Sequence, residues 1–281
     1  MSSFTLQSKQ KLRDGNEIPI LGFGTYELLG AEAYQAVTWA LEAGYRHIDS
    51  AEWYENEREC GRAILDFCKA TGTPREEIFY TSKLKNNAGY AATKKSIQQS
   101  LDECGLGYID LYLIHGPWGG PKARRDAWEA IVDVQKTGAL KSVGISTFGV
   151  RHMEELFGDG KLPTPAVHQI DLHPFMTRSE IVAFSLKHGI ALEAWGSLAR
   201  GMRMKHPTIV GLAKKYGKQP AHIFLRWSIQ KGYIPLVKSA SRERVIGNTQ
   251  IYDFSLNDSE MEELDGLNED LVTDWNPVDC P

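Results

Sequence analysis

Short apolar runs recur along the chain at similar spacing: IPILGFG (18–24), YRHIDSA (45–51), EIFYTSK (77–83), IDLYLIH (109–115), LKSVGIS (140–146), AVHQIDL (166–172), IALEAW (190–195) and YIPLVK (233–238). Between them the apolar positions shift to a helical period. In residues 31–43, Ala33, Ala36, Val37, Ala40 and Leu41 share one face and Gly44 follows, a stripe and stop that predict a helix. Residues 122–137 repeat the pattern with Trp128, Ile131, Val132 and Gln135. Runs this apolar suit parallel strands covered on both faces. Eight strands, each followed by a helical segment, predict an α/β fold: a (β/α)8 TIM barrel occupying residues 1–281 as a single domain. Ahead of the first run, "TLQSKQKLRDGNEIP" carries Asp14-Gly15 in mid-course, which predicts an N-terminal β-hairpin capping one barrel mouth. An open Rossmann sheet would call for G-x-G-x-x-G after the first strand. Here Gly22 and Gly24 are present, but Glu27 stands where the third glycine belongs.

Composition narrows the classes of function. Apolar residues make up 42% of the chain and the net charge is −4, so a large core is expected and no basic footprint for nucleic acid is present. No apolar run reaches the length of a membrane span. Neither end reads as a signal or retention segment, so a cytoplasmic protein is expected, a monomer with a dimer as the alternative. The four cysteines form no CxxC pair. Cys60 and Cys68 fall on one helical stripe with Ala63, Ile64 and Phe67, and Cys104 on another with Ile97 and Leu101. They read as small buried hydrophobes, and Cys280 as loose at the chain end.

The candidate chemistry lies where the strands leave the core. The working face of such a barrel is the C-terminal end of its strands. Asp49 ends the second strand, Lys83 the third and His115 the fourth, and Tyr54 lies on the loop after the second. Singly, each has an ordinary explanation: a turn-forming Asp, a solvated Lys, a satisfied core His. Together on one rim they make chemical sense. A phenol, with pKa near ~10, is a poor acid at neutral pH. Lys83 beside it would stabilise the phenolate, Asp49 would keep Lys83 charged, and His115 would bond the same oxygen as the phenol. Such a site suits carbonyl reduction, in which a carbon gains hydride and its oxygen gains a proton. There is no metal-ligand set, and no side chain supplies hydride, so a cofactor must.

These residues resemble a known family. "GYRHIDSAEWYENE" (44–57), "TSK" ending the third strand and "LIHGP" ending the fourth are similar to the signatures of the aldo-keto reductases, and the resemblance runs in order over nearly the whole chain. It implies a catalytic tetrad of Asp49, Tyr54, Lys83 and His115 with Tyr54 as general acid. It also implies an extended nicotinamide cofactor bound without a Rossmann fold.

The cofactor positions implied by the resemblance are distributed along the chain. In "GISTF", Ser146 matches a residue holding the nicotinamide carboxamide, while Thr147 replaces the usual Asn. In "VHQIDLHP", Gln169 matches and His168 replaces Asn. Trp195 falls where an aromatic ring stacks under the nicotinamide. Gly24 and Thr25 resemble the first-strand loop that approaches the cofactor, and Ser197 and Leu198 the loop over the pyrophosphate. In "LVKSASRERVIGN", Lys238, Ser239 and Arg244 imply a site for the 2′-phosphate of NADPH, with NADH disfavoured. Asn248 matches an adenine contact, and Gly247 replaces a frequent Glu.

Tyr26, Trp53 and Trp118, with His115, are candidate walls of an apolar substrate cleft for a small-molecule carbonyl. Gly116 stands where the family often has tryptophan. The loop "GSLARGMRMKHP" and the tail "LVTDWNPVDCP" are both short, which predicts an open site for varied aldehydes or ketones. Two other functions stay open on the sequence. One is a Schiff-base aldolase built on Lys83. The other is a cofactor-binding protein without turnover, as in relatives that serve as channel subunits or lens proteins.

Overall fold

The chain opens with a hairpin of β1 (Lys9–Lys11) and β2 (Glu17–Pro19), paired antiparallel with Gln10 opposite Ile18. Its turn is built from Asp14, whose carboxylate accepts from the Asn16 N–H at 3.1 Å, and from Gly15 at φ +92°, a conformation that favours glycine. The structure, a computed structural model, describes residues 4–281. After the hairpin come β3 (Gly22–Gly24), α1 (Gly30–Glu42), β4 (His47–Asp49), α2 (Glu57–Thr71), β5 (Phe79–Leu84), α3 (Tyr90–Cys104), β6 (Ile109–Ile114) and α4 (Gly120–Gln135). Next are β7 (Leu140–Ser146), α5 (Val150–Phe157), β8 (Val167–Asp171), α6 (Ser179–Lys187), β9 (Ala191–Trp195), α7 (Pro207–Tyr216), α8 (Pro220–Gln230), β10 (Ile234–Val237), α9 (Arg242–Gly247) and α10 (Asp258–Asp265).

Strands β3 to β10 close into a parallel barrel in chain order, with β10 pairing back onto β3. The expected barrel and hairpin are both present. The first apolar run, however, is divided between them. Glu17–Pro19 is drawn onto β1, and the barrel strand begins only at Gly22. A Cβ at Gly22 would overlap Leu236 and come 2.7 Å from His47 Nδ1, so glycine lets β3 slot between β10 and β4. Between β9 and β10 the chain also makes two helices, α7 and α8, each with proline in its first turn, where the missing N–H costs nothing.

The barrel interior has two halves, set by the two-residue period of each strand. Its lower half is apolar: Phe79, Leu111, Leu113, Val167, Ala191 and Ile234 cluster there, together with Leu12 and Ile18 of the hairpin, which plugs that end. Two residues further along β5, β8 and β9 the buried positions turn polar, at Thr81, Gln169 and Glu193, and Lys83 follows two residues after Thr81. A larger core fills the space between strands and helices, including the predicted face of α1 (Ala33, Ala36, Val37, Ala40, Leu41). Helices α2 and α3 approach closely at Gly61, where a Cβ would overlap the Cys104 carbonyl. No described helix is long and apolar enough to cross a membrane.

Candidate active site

All eight barrel strands carry a candidate residue within two residues of their C-terminal ends: Gly24, Asp49, Lys83, His115, Ser146, Gln169, Trp195 and Lys238. Because the strands are parallel, these positions share one mouth.

At its centre lies a buried ion pair. Lys83 Nζ donates to Asp49 Oδ1 at 2.6 Å, to the Ser50 carbonyl at 2.8 Å and to Tyr54 OH at 3.3 Å. The ammonium therefore has a partner for each of its three protons. Burial pulls the Lys83 pKa down, but Asp49, Tyr54 and their hydrogen bonds more than offset it, and the net shift is upward. For Tyr54 the balance goes the other way. Burial raises its pKa to about 12, although Lys83 pulls it down. The pull expected from Lys83 is present, but desolvation of the phenol outweighs it. The His115 ring lies 5.5 Å from the Tyr54 ring, edge on. Burial, then the Lys83 charge, depress its pKa well below the ordinary value, so it is a neutral imidazole. Its Nδ1 is buried without a partner.

Beneath this group the predicted cofactor residue Gln169 is turned inward. Its Nε2 donates to Asp49 Oδ2 at 2.9 Å and to Glu193 Oε2 at 3.0 Å. Both amide hydrogens are thereby used on carboxyls, leaving the amide oxygen as the group open to a ligand. Next to it Ser146 Oγ lies 3.2 Å from Thr147 Oγ1. Thr147 is held at φ +56°, a region that is a genuine outlier for a β-branched residue and that Asn adopts more readily. His168, in the other position where the resemblance expects Asn, points away: Nε2 accepts from the Phe148 N–H and Nδ1 meets Ser185 Oγ.

Aromatic rings wall the mouth. Tyr26 lies 5.2 Å from Tyr54, and Trp53 lies 6.5 Å from Trp118. Trp275 of the C-terminal tail adds a further ring, 5.9 Å from His115 and 5.3 Å from Trp118. The short tail thus covers part of the site that the sequence predicted to be open. It is held in place: Arg200 pairs with Asp274 at 2.6 Å, Arg178 donates to Asn276 at 2.7 Å, and the Cys280 carbonyl lies 2.7 Å from His152 Nε2. Cys280 is accordingly anchored rather than loose.

At the β10 end, Arg244 Nε donates to Ser239 Oγ at 3.2 Å, and Lys238 Nζ lies 3.3 Å from Glu27. Glu27 also meets Arg200 at 3.1 Å. Ser197 Oγ is engaged with the Leu236 carbonyl at 2.8 Å. Asn248 caps α9, and its side chain is largely buried. Thr25 Oγ1 donates to the Asp49 carbonyl at 2.9 Å and so ties the two loops together. Leu198 and Trp195 are half-buried at the exit of β9.

Comparison with known proteins identifies the family. A statistical model of the "Aldo/keto reductase family" matches residues 20–269. The chain belongs to the aldo-keto reductase family. An uncharacterised oxidoreductase of Schizosaccharomyces pombe is 41% identical over 98% of this chain and 99% of its own. A glyoxal reductase of Bacillus subtilis is 38% identical over 97% of both. The structure of a Bombyx mori aldo-keto reductase in complex with NADP superposes with a TM-score of 0.89 at 32% identity, covering 96% of this chain and 95% of the other. The protein is accordingly an oxidoreductase of the aldo-keto reductase family.

Three residues of this aldo-keto reductase site were not singled out from the sequence. Asn56, fully buried, donates to the Thr25 and Leu28 carbonyls at 2.9 and 2.7 Å and accepts from Ser50 Oγ at 2.7 Å, stapling the first two loops of the mouth. It occupies the N-cap position of α2 without capping it. Glu193 was visible as a charge inside an apolar strand, two residues before Trp195. Trp275 had no signal, since only the path of the tail brings it to the mouth.

Proposed function

We propose that this protein reduces aldehydes or ketones to alcohols with NADPH, Tyr54 acting as proton donor. The observation that carries the reading is the 3.3 Å contact of the Tyr54 hydroxyl with a lysine already locked onto Asp49. As hydride reaches the carbonyl carbon, negative charge grows on its oxygen. Tyr54 gives that oxygen its proton, and Lys83 stabilises the phenolate left behind. Asp49 keeps Lys83 charged and in place. Neutral His115 donates an N–H hydrogen bond to the same oxygen and orients the carbonyl. The aromatic walls exclude water and hold the apolar part of the substrate.

The chain's own groups suit the nicotinamide cofactor, which supplies the hydride when bound. At the mouth, Ser146, Thr147 and the Gln169 amide oxygen offer donors and an acceptor to a carboxamide, and Trp195 offers a ring face. At the other end, Arg244 donates to the Ser239 hydroxyl and the neighbouring Lys238 ammonium rests on Glu27; with Lys238 released from Glu27, the three would make a donor set suited to a phosphate monoester. Gly24, Thr25, Ser197 and Leu198 would line the cofactor's path, and Asn248 would contact its adenine. The structure complexed with NADP in the Bombyx mori relative supports the same choice. A Schiff-base role for Lys83 is disfavoured, because a raised pKa leaves little free amine to attack a carbonyl.

The test is NADPH oxidation across a panel of aldehydes, diketones and keto-lactones. Tyr54→Phe should lower the rate of hydride transfer at least ~10²-fold while cofactor binding persists. Lys83→Met should be severely impaired, and the two losses should not add. Near wild-type turnover by Tyr54→Phe would overturn the mechanism.

A further inference from the structure

Two buried carboxyls meet on one side-chain amide in the barrel. Asp49 and Glu193 accept from the same Gln169 amide nitrogen, so a single side chain bridges them. Lys83 spends its hydrogens on Asp49, the Ser50 carbonyl and Tyr54. The groups facing Glu193 are His47 and Asp49 from β4, Lys83 from β5 and Gln169 from β8, while its register partner on β10 is Ile234. His47 Nε2 lies 3.3 Å from Glu193 Oε1, close enough for an ion pair. Burial, then the Lys83 charge, hold the His47 pKa down at about 3, so the imidazole is neutral. Glu193 therefore has no cation of its own. Two carboxylates on one amide resist joint ionisation. Burial, then the Asp49 charge, raise the Glu193 pKa to about 8.

We propose that Glu193 is a positioning residue that serves the proton donor in its protonated form, holding Gln169 against Asp49 while leaving the Lys83 charge to Asp49 and Tyr54. Once ionised, it adds a second negative charge to the cluster and opposes the phenolate that forms as Tyr54 gives up its proton. The inference rests on the reading of Tyr54 as proton donor.

The experiment compares kcat for carbonyl reduction from pH 6 to pH 10 in the wild type, Glu193→Gln and Glu193→Met, each profile normalised to its own value at pH 7. Urea unfolding is followed over the same range and down to pH 4. Wild-type kcat should fall roughly tenfold above about pH 8, the effect of a one-unit coupling between charged groups. Both uncharged variants should lack that fall. Unfolding reads the same proton without turnover. The folded protein keeps it up to about pH 8, whereas an ordinary carboxyl loses it near 4.5. Folding thus takes up a proton in this window, and wild-type stability declines across it as pH rises. Glu193→Gln should lose that slope. Activity profiles that superimpose for wild type and Glu193→Gln would overturn the inference, even with the stability slope changed. Absence of NADPH-dependent turnover at every pH is a separate result: it would sink the functional reading and this inference with it.

Discussion

The Trp118 ring packs against Gly116, occupying the space that any side chain at 116 would need. A Cβ built on Gly116 overlaps three atoms of that ring. The loop leaving β6 therefore supplies an aromatic wall from two residues further on, and glycine at 116 is its structural requirement. Asn87 fixes the loop by donating to the Gly116 and Trp118 carbonyls at 2.9 and 2.7 Å.

Gly116→Ala should push the Trp118 ring outward. Overpacking of this kind costs about 1–3 kcal/mol, read as a lower urea midpoint at unchanged m-value. The displaced ring should also alter KM for bulky carbonyls more than for small ones. An unchanged midpoint with unchanged KM values would show that the ring yields freely.

Thr147→Asn should relieve backbone strain at the end of β7. The left-handed conformation at φ +56° is unfavourable for a β-branched side chain, and such strain costs on the order of 1–3 kcal/mol. The variant should gain about 1 kcal/mol in stability, at the low end of that range because the Ser146 contact is lost. Its amide should also tighten cofactor binding. Calorimetric unfolding and NADPH titration check both effects, and a lower Tm would refute the strain argument.

Arg244→Ala should weaken NADPH selectively. If Arg244 reads the 2′-phosphate, its loss costs about 1–3 kcal/mol of NADPH binding, as for a charge-assisted contact, and leaves NADH nearly untouched. Equal losses for both cofactors, measured by fluorescence titration, would mean that Arg244 only supports Ser239.

The eight apolar runs were enough to specify a parallel barrel, because residues covered on both faces cannot alternate with polar ones. The Asp14-Gly15 turn likewise specified the hairpin. Asp49, Lys83 and His115 were legible in the sequence as neighbours, since parallel strands put their C-terminal ends at one mouth. Where Ile18 belonged was not legible. An apolar residue at the start of an apolar run suits a hairpin strand or a barrel strand equally, and only pairing with Gln10 assigned it to the plug.

The sequence by itself determined the architecture and the residue types at the mouth, because periodicity and strand ends are local properties. Tertiary structure decided the balances of energy and the distant contacts. The rise of the Tyr54 pKa against the pull of Lys83 depends on how much water the closed barrel excludes. Gln169 turns toward Asp49 because β4 and β8, far apart in sequence, face one another across the interior, while Glu193 is its register partner on the neighbouring β9. Trp275 reaches His115 because Arg178, Arg200 and His152 tie down the tail, and the space it fills exists only once the barrel has closed.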